Sequence, residues 1–268
     1  MFSQYTKVLF DTARGSPIRS RGGCRIVERL KDCIAVVAGG TGSVGEGVVR
    51  ALIRDGATVV VPYRNDAKRE RLEEYVRDVA ADSGRLVCMP ANIGDLESMN
   101  EFRRELVDRF GRVDLGVACL GGWYYGYSLH NMPAEHWDQV INDNLRTHFI
   151  CVRTLVSLMH ERHQGVYVMI NGGAAELIAP ETGAVSIAAA AQLMTARVLK
   201  QEARGTDIRI HSLMVYNPVK TRDRRTEVVD DWLSAEEVGD YITRLYVGSA
   251  SNTDKTIHRL YTSSNLQR

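Results

Sequence analysis

Three glycines spaced three apart, Gly39, Gly42 and Gly45, follow directly on the apolar run Ile34-Ala35-Val36-Val37. Glycine permits a tight turn and lets ligand oxygens come up against the backbone. A buried strand that turns this way into a helix aims the helix's first N–H groups at an anion, and the helix dipole adds to the attraction. The stretch is read as a phosphate cradle, with Gly39, Thr41, Gly42, Ser43, Val44 and Gly45 as its contacts. The flanks agree. Val48, Val49, Leu52 and Ile53 give a one-sided helix, Asp55-Gly56 can stop it, and Thr58-Val59-Val60-Val61 reads as a second strand. Strand, glycine turn, helix and strand fit in about 30 residues, as a dinucleotide-binding unit requires. Beyond the second strand, Tyr63-Arg64-Asn65 holds no carboxylate for a ribose hydroxyl. An arginine there can pair with a 2′-phosphate, so NADPH is expected over NADH.

A second cluster lies downstream. Gly121-Gly122-Trp123-Tyr124-Tyr125-Gly126-Tyr127 leaves the predicted strand Leu115–Cys119, and its aromatic rings could stack on a flat substrate or simply anchor a surface loop. His160 and His163 fall near the end of a helix, where they complement its dipole. Cys24, Cys33, Cys88, Cys119 and Cys151 have no paired or metal-ligand spacing, so reduced thiols, a cytoplasmic location and no metal are expected. Lys and Arg number 34 against 33 Asp and Glu, which gives no reason to expect nucleic acid or an anionic membrane as partner. No apolar stretch reaches transmembrane length.

The elements that must position these residues alternate. Helices are expected at 66–80, from Asp95 through Phe110, from Pro133 to about Arg162, at 184–203, and from the capping box Ser234-Ala235-Glu236-Glu237 to about Tyr246. Strands are expected at 86–89, Leu115–Cys119, Val166–Ile170, Ile208–Val215 and Ile257–Thr262. This alternation predicts one α/β domain over 30–268, a Rossmann-type doubly wound parallel sheet with helices on both faces and ligands beyond the strands' carboxyl ends. Residues 1–29 carry five arginines and little apolar periodicity, and are read as an N-terminal arm or poorly ordered tail.

From Leu30 to about Thr262 the chain resembles the short-chain dehydrogenase/reductase family. Ala38-Gly39-Gly40-Thr41-Gly42-Ser43-Val44-Gly45 stands where that family writes Thr-Gly-x-x-x-Gly-x-Gly, with Ala38 and Ser43 departing from the pattern. Gly56 through Asn65 is similar to the family's NADPH-type second strand. Asn92-Ile93 stands where an Asp-Val pair meets the adenine, and Ala118-Cys119-Leu120-Gly121 replaces Asn-Asn-Ala-Gly. Trp137, Val140, Ile141 and Asn144 match the long-helix signature. Pro218-Val219-Lys220-Thr221 resembles the segment beside the nicotinamide, where Val219 and Thr221 would meet its carboxamide. The resemblance implies NADPH/NADP as cofactor, with Arg64, Asn65, Asn92, Ile93, Gly121 and Gly122 beside the cradle among its contacts, a small-molecule substrate, and a homodimer or homotetramer.

The resemblance also implies a catalytic Asn, Ser, Tyr and Lys, in which the lysine lowers the phenol's pKa. Here the Ser position falls at Gly172 or Gly173, the Tyr position at Ala184 or Val185 and the Lys position at Ala188 or Ala189. Of the four only Asn144 remains, either as a catalytic group or as a buried structural amide. The replacements imply a larger, more apolar pocket bounded by Trp123, Tyr124, Tyr125, Gly172, Gly173, Val185 and Tyr216. Subunit packing is a second explanation for the alanines. The proton would come from Tyr124, Tyr125, Tyr127, His130, Glu176, Tyr216, water or the substrate. An NADPH-dependent reductase of a bulky ketone or quinone leads. A non-redox cyclase or isomerase and an inactive NADP(H)-binding protein are the alternatives.

Overall fold

The computed structural model describes residues 29–80, 84–224, 231–250 and 253–264. Most of the expected N-terminal arm thus lies outside the described residues. Arg29, its last member, pairs with Asp55 at 2.8 Å.

Seven strands form one sheet in the order β3-β2-β1-β4-β5-β6-β7. They are β1 (Ile34–Ala38), β2 (Thr58–Tyr63), β3 (Leu86–Pro90), β4 (Leu115–Ala118), β5 (Gln164–Gly172), β6 (Asp207–Val215) and β7 (Ile257–Leu260). All pairings are parallel. The connecting helices are α1 (Gly45–Arg54), α2 (Asp66–Ala80), α3 (Leu96–Phe110), α4 (Ala134–Ile141), α5 (Thr147–Arg162), α6 (Gly183–Glu202) and α7 (Ala235–Val247).

The period of two along each strand divides the core in two. Ala35, Val37, Val59, Val61, Val166 and Val168 point into one layer, which α1, α2 and α7 close with Leu52, Ile53, Leu72, Val76, Ile242 and Leu245. Val36, Val60, Tyr167 and Met169 point into the other, closed by α3, α5 and α6 with Phe102, Leu106, Leu155, Met159 and Leu199. Strands buried on both faces account for the near-continuous apolar runs in the sequence.

Two caps expected from the sequence are present. The Asp95 side chain accepts from Ser98 N, and Ser234 and Glu237 close a reciprocal capping box. One element differs. The single helix expected from Pro133 is α4, one π turn over Asn142–Arg146, then α5. The π turn centres on Asn144, whose side chain is drawn into hydrogen bonds described below. A local widening of this kind re-aims a side chain within an otherwise continuous helix.

Candidate active site

The sheet order reverses between β1 and β4, and chain turning away in opposite directions from these neighbours opens a crevice at their carboxyl ends. The glycine turn sits there. Gly39 has φ +79°, and a Cβ at that position would collide with the carbonyl oxygen of Cys119 beyond β4. A Cβ on Gly45, the first residue of α1, would collide with the carbonyl oxygen of Gly39. The turn is closed by Gly42 N donating to Gly39 O at 2.9 Å and Glu46 N to Gly42 O at 2.9 Å. Val44 is the N-cap residue, and no side chain caps it. The first turn of α1 therefore lacks a side-chain acceptor, as an anion-binding helix end requires.

An ion-pair cluster borders this turn, and no local signal announced it. Ser43 Oγ donates to Asp223 Oδ2 at 2.8 Å, and Arg71 pairs with the same carboxylate at 2.6 Å. Arg222 binds Glu46 through two nitrogens, at 2.8 and 2.6 Å, and lies over the Tyr75 ring. Glu46 is buried although it is charged, and its guanidinium partner compensates that burial. Two acids thus stand beside the cradle against two arginines, which ties the segment after β6 to α1. Of the four, only Glu46 was open to sequence reasoning, as a charge on the inward side of α1; Arg71, Arg222 and Asp223 come from distant segments.

The remaining cofactor candidates fall around the same edge. Arg64 and Asn65 are exposed just beyond β2. Asn65 Oδ1 accepts from Lys68 N at 2.9 Å and so starts α2. Asn92 follows β3, and its Oδ1 accepts from Gly94 N at 3.2 Å, while Ile93 packs on the second core layer. Gly121 has φ +94°, and Gly122 N donates to Asn144 Oδ1 at 2.9 Å. Asn144 Nδ2 donates to Val140 O at 3.0 Å, and the Gln192 amide donates to the Asn144 carbonyl. The buried Asn144 side chain therefore braces the loop after β4 against the long helix. Val219 packs on the first core layer, and Thr221 Oγ1 is buried with no protein partner.

These residues fit a dinucleotide. The cradle admits oxygens where a Cβ could not stand, and the unpartnered Thr221 hydroxyl suits an amide at the nicotinamide end. At the mouth of the turn the Asp223 carboxylate would oppose a diphosphate, and Arg71 would offset part of that charge.

The predicted substrate side is less open than glycine and alanine content suggested. A Cβ on Gly173 would stand 2.8 Å from the Tyr216 ring, so that aromatic side chain takes up the space. Gly172 ends β5 and is exposed. Tyr216 stacks on Tyr261 with centroids 4.4 Å apart and donates to Glu176. Arg259 grips the same carboxylate at 2.6 and 2.9 Å. Arg259, and then Tyr216, hold the Glu176 carboxyl at about 2, while burial and then the bond to Glu176 push the Tyr216 phenol up to about 12. Ala184 and Val185 are buried with Val140 beneath Tyr124, Met132 and Trp137. Trp123 and Tyr125 are exposed.

Among the described residues, no group of three or more His, Cys, Asp or Glu could hold a metal, and no helix is long and apolar enough to cross a membrane. A cavity of about 340 Å³ lined by Asp114, Asp207, Arg209 and Tyr246 opens at the amino ends of β4–β6, away from the cradle.

The family model described as short chain dehydrogenase matches residues 33–228. A 3-oxoacyl-[acyl-carrier-protein] reductase of Synechocystis sp. is 24% identical over 85% of this chain and 89% of its own length. The glycine betaine reductase ATRR of Emericella nidulans is 26% identical over 81% of this chain but only 17% of its own length. An uncharacterized oxidoreductase of Bacillus subtilis, YxbG, matches over 48% of its length. The chain thus spans well under two thirds of some of its curated relatives. A metagenomic short-chain oxidoreductase solved in complex with NADP superposes with a TM-score of 0.73 at 20% identity, covering 87% of this chain and 99% of that one. Levodione reductase superposes at 0.78 and 17% identity, covering 89% and 99%.

Proposed function

We propose, for a chain that belongs to the short-chain dehydrogenase family of oxidoreductases, that it is an NADPH-dependent reductase of a bulky, flat ketone or quinone. The observation that carries the reading is the glycine turn at the crevice between β1 and β4, whose geometry excludes side chains where phosphate oxygens would lie. The N–H groups of the turn that are not already bonded within it, as those of Gly40 and Gly42 are, would hold the pyrophosphate. Arg64 would pair with the 2′-phosphate, Asn92 and Ile93 would meet the adenine, and Val219 and Thr221 the carboxamide. When bound, the reduced dinucleotide supplies a hydride. The chain's own residues orient the carbonyl and exclude water from it. The exposed rings of Trp123 and Tyr125 support a planar substrate.

In this reading the family's Ser, Tyr and Lys are absent, their positions being held by Gly172 or Gly173, Ala184 or Val185, and Ala188 or Ala189. A non-redox catalyst or an inactive NADP(H)-binding protein is the alternative. The observation that favours it is Asp223, a carboxylate on Ser43 at the mouth of the cradle.

We further propose a homo-oligomer. Ile187, Ala190, Met194 and Val198 form an exposed apolar stripe on α6, and Phe149 is exposed on α5. A second copy would cover such a stripe. Four free cysteines among the described residues suit a reducing cytoplasm.

The test is consumption of NADPH, followed by its absorbance, with phenanthrenequinone and tetralone as probes. Oxidation dependent on either probe supports the reading. Tight binding of NADPH with neither probe reduced supports the alternative.

A further inference from the structure

We propose that Tyr124 is the acid that protonates the substrate oxygen, and that His136 is the positioning residue that returns the proton to it. This rests on the reductase reading above. Turning a carbonyl into an alcohol adds a hydride to carbon and a proton to oxygen, so a donor must stand at the pocket. The structure eliminates most candidates at the carboxyl ends of β4, β5 and β6. Glu176 is an ionised carboxylate gripped by Arg259. The Tyr216 phenol already donates to Glu176. Both polar atoms of the Asn144 amide are engaged. His130 and Tyr125 are exposed on the outer loop.

Tyr124 is placed differently. Its ring is half-buried on an apolar floor of Val140, Ala184 and Val185, flanked by Met132 and Trp137. Its phenol oxygen lies 3.1 Å from His136 Nδ1. The loop that carries it is fixed at both ends, by Gly122 N to Asn144 Oδ1 and by Gly126 N to Glu181 O at 3.2 Å. Tyr127 is an ionisable neighbour of the pair, and its ring meets His136 edge-on at 5.2 Å. Desolvation and then Tyr127 raise the Tyr124 phenol, so it stays protonated at neutral pH.

The step balances as follows. The carbonyl carbon takes the hydride from the reduced nicotinamide dinucleotide, which is oxidised. The Tyr124 O–H bond breaks and the substrate oxygen takes its proton. The resulting phenolate takes a proton from the His136 imidazole, which is exposed and takes one from water.

The experiment compares wild type with Tyr124→Phe and His136→Gln. It reads dinucleotide affinity by intrinsic fluorescence, single-turnover rates with tetralone and phenanthrenequinone across pH, and phenolate absorbance on titration. Tyr124→Phe is expected to slow tetralone reduction by about 100-fold, the worth of a general acid. It should slow phenanthrenequinone far less, because a quinone's reduced anion needs no immediate proton, and leave dinucleotide affinity and melting temperature unchanged. The phenolate curve lost in Tyr124→Phe should shift in His136→Gln, together with one limb of the tetralone pH profile. A tetralone rate within about threefold of wild type in Tyr124→Phe, at unchanged affinity, overturns the assignment of the acid and leaves the reductase reading standing. An unshifted phenol in His136→Gln overturns the pairing. Wild-type protein that binds NADPH yet reduces neither probe ends the reductase reading itself, and the proton transfer with it.

Discussion

Acid should unfold this protein through its buried histidines before its carboxylates matter. His148 on α5 lies under the loop that carries Gly121 and Gly122, with Nε2 3.3 Å from Leu120 O and Nδ1 buried without a partner. His211 on β6 lies 3.1 Å from His258 on β7, which in turn meets Tyr241 at 2.8 Å. Burial pushes both His148 and His211 down to about 4 from an ordinary 6.5, and lowers His258 in the same direction. The folded state thus binds fewer protons than the unfolded chain between pH 6.5 and 4. The stability these groups contribute is intact above pH 6.5 and is lost as the pH falls through that window. At pH 5 the unfolded chain is favoured about 30-fold by each of the two, or about 2 kcal/mol apiece. Together they remove about 4 kcal/mol, a large part of the 5–15 kcal/mol typical of a domain. Glu176 does not contribute in this range, because it is held at about 2 and loses its pairing only as the pH falls from 4.5 towards that value. Urea unfolding at pH 7.5 and pH 5 measures the difference. His148→Gln should abolish about half of it. An unfolding free energy at pH 5 within about 1 kcal/mol of that at pH 7.5 would refute the claim that these histidines are buried and neutral.

Three further outcomes follow from single contacts. Gly45→Ala should abolish dinucleotide binding in a fluorescence titration and lower the melting temperature, because the new methyl group meets the Gly39 carbonyl. Asp223→Asn should tighten NADPH binding by about threefold to tenfold, since it removes a carboxylate worth about 1 kcal/mol of screened repulsion; weaker binding in the same titration would show that the carboxylate helps instead. Ser234→Ala should cost about 1 kcal/mol in urea unfolding through loss of the capping box on α7, with dinucleotide affinity unchanged.

The parallel sheet was legible because both faces of each strand are covered, so Ile34–Ala38 and Val59–Val61 are apolar throughout and their turns carry the punctuation. The glycine turn was legible because steric exclusion of a Cβ writes glycine into the sequence. What escaped were arrangements made by residues far apart. Ser43 and Asp223 are 180 positions from each other, and Arg222 and Glu46 are 176. Gly173 suggested open space, but whether that space is empty depends on Tyr216, just beyond another strand. The apolar stripe through Trp137, Val140 and Ile141 runs on past Asn144, so nothing in its period marked the π turn. His136 gave no signal either, because its partner lies in an aperiodic loop.

The account depends on the crevice between β1 and β4 holding a nicotinamide dinucleotide that carries a 2′-phosphate. Its most direct test is the ratio of dissociation constants for NADPH and NADH in one fluorescence titration series at fixed salt. A ratio of about tenfold or more in favour of NADPH, equivalent to about 1.4 kcal/mol, is the expected result. Equal affinities would remove Arg64 from the site, and no binding of either would contradict the account at its root.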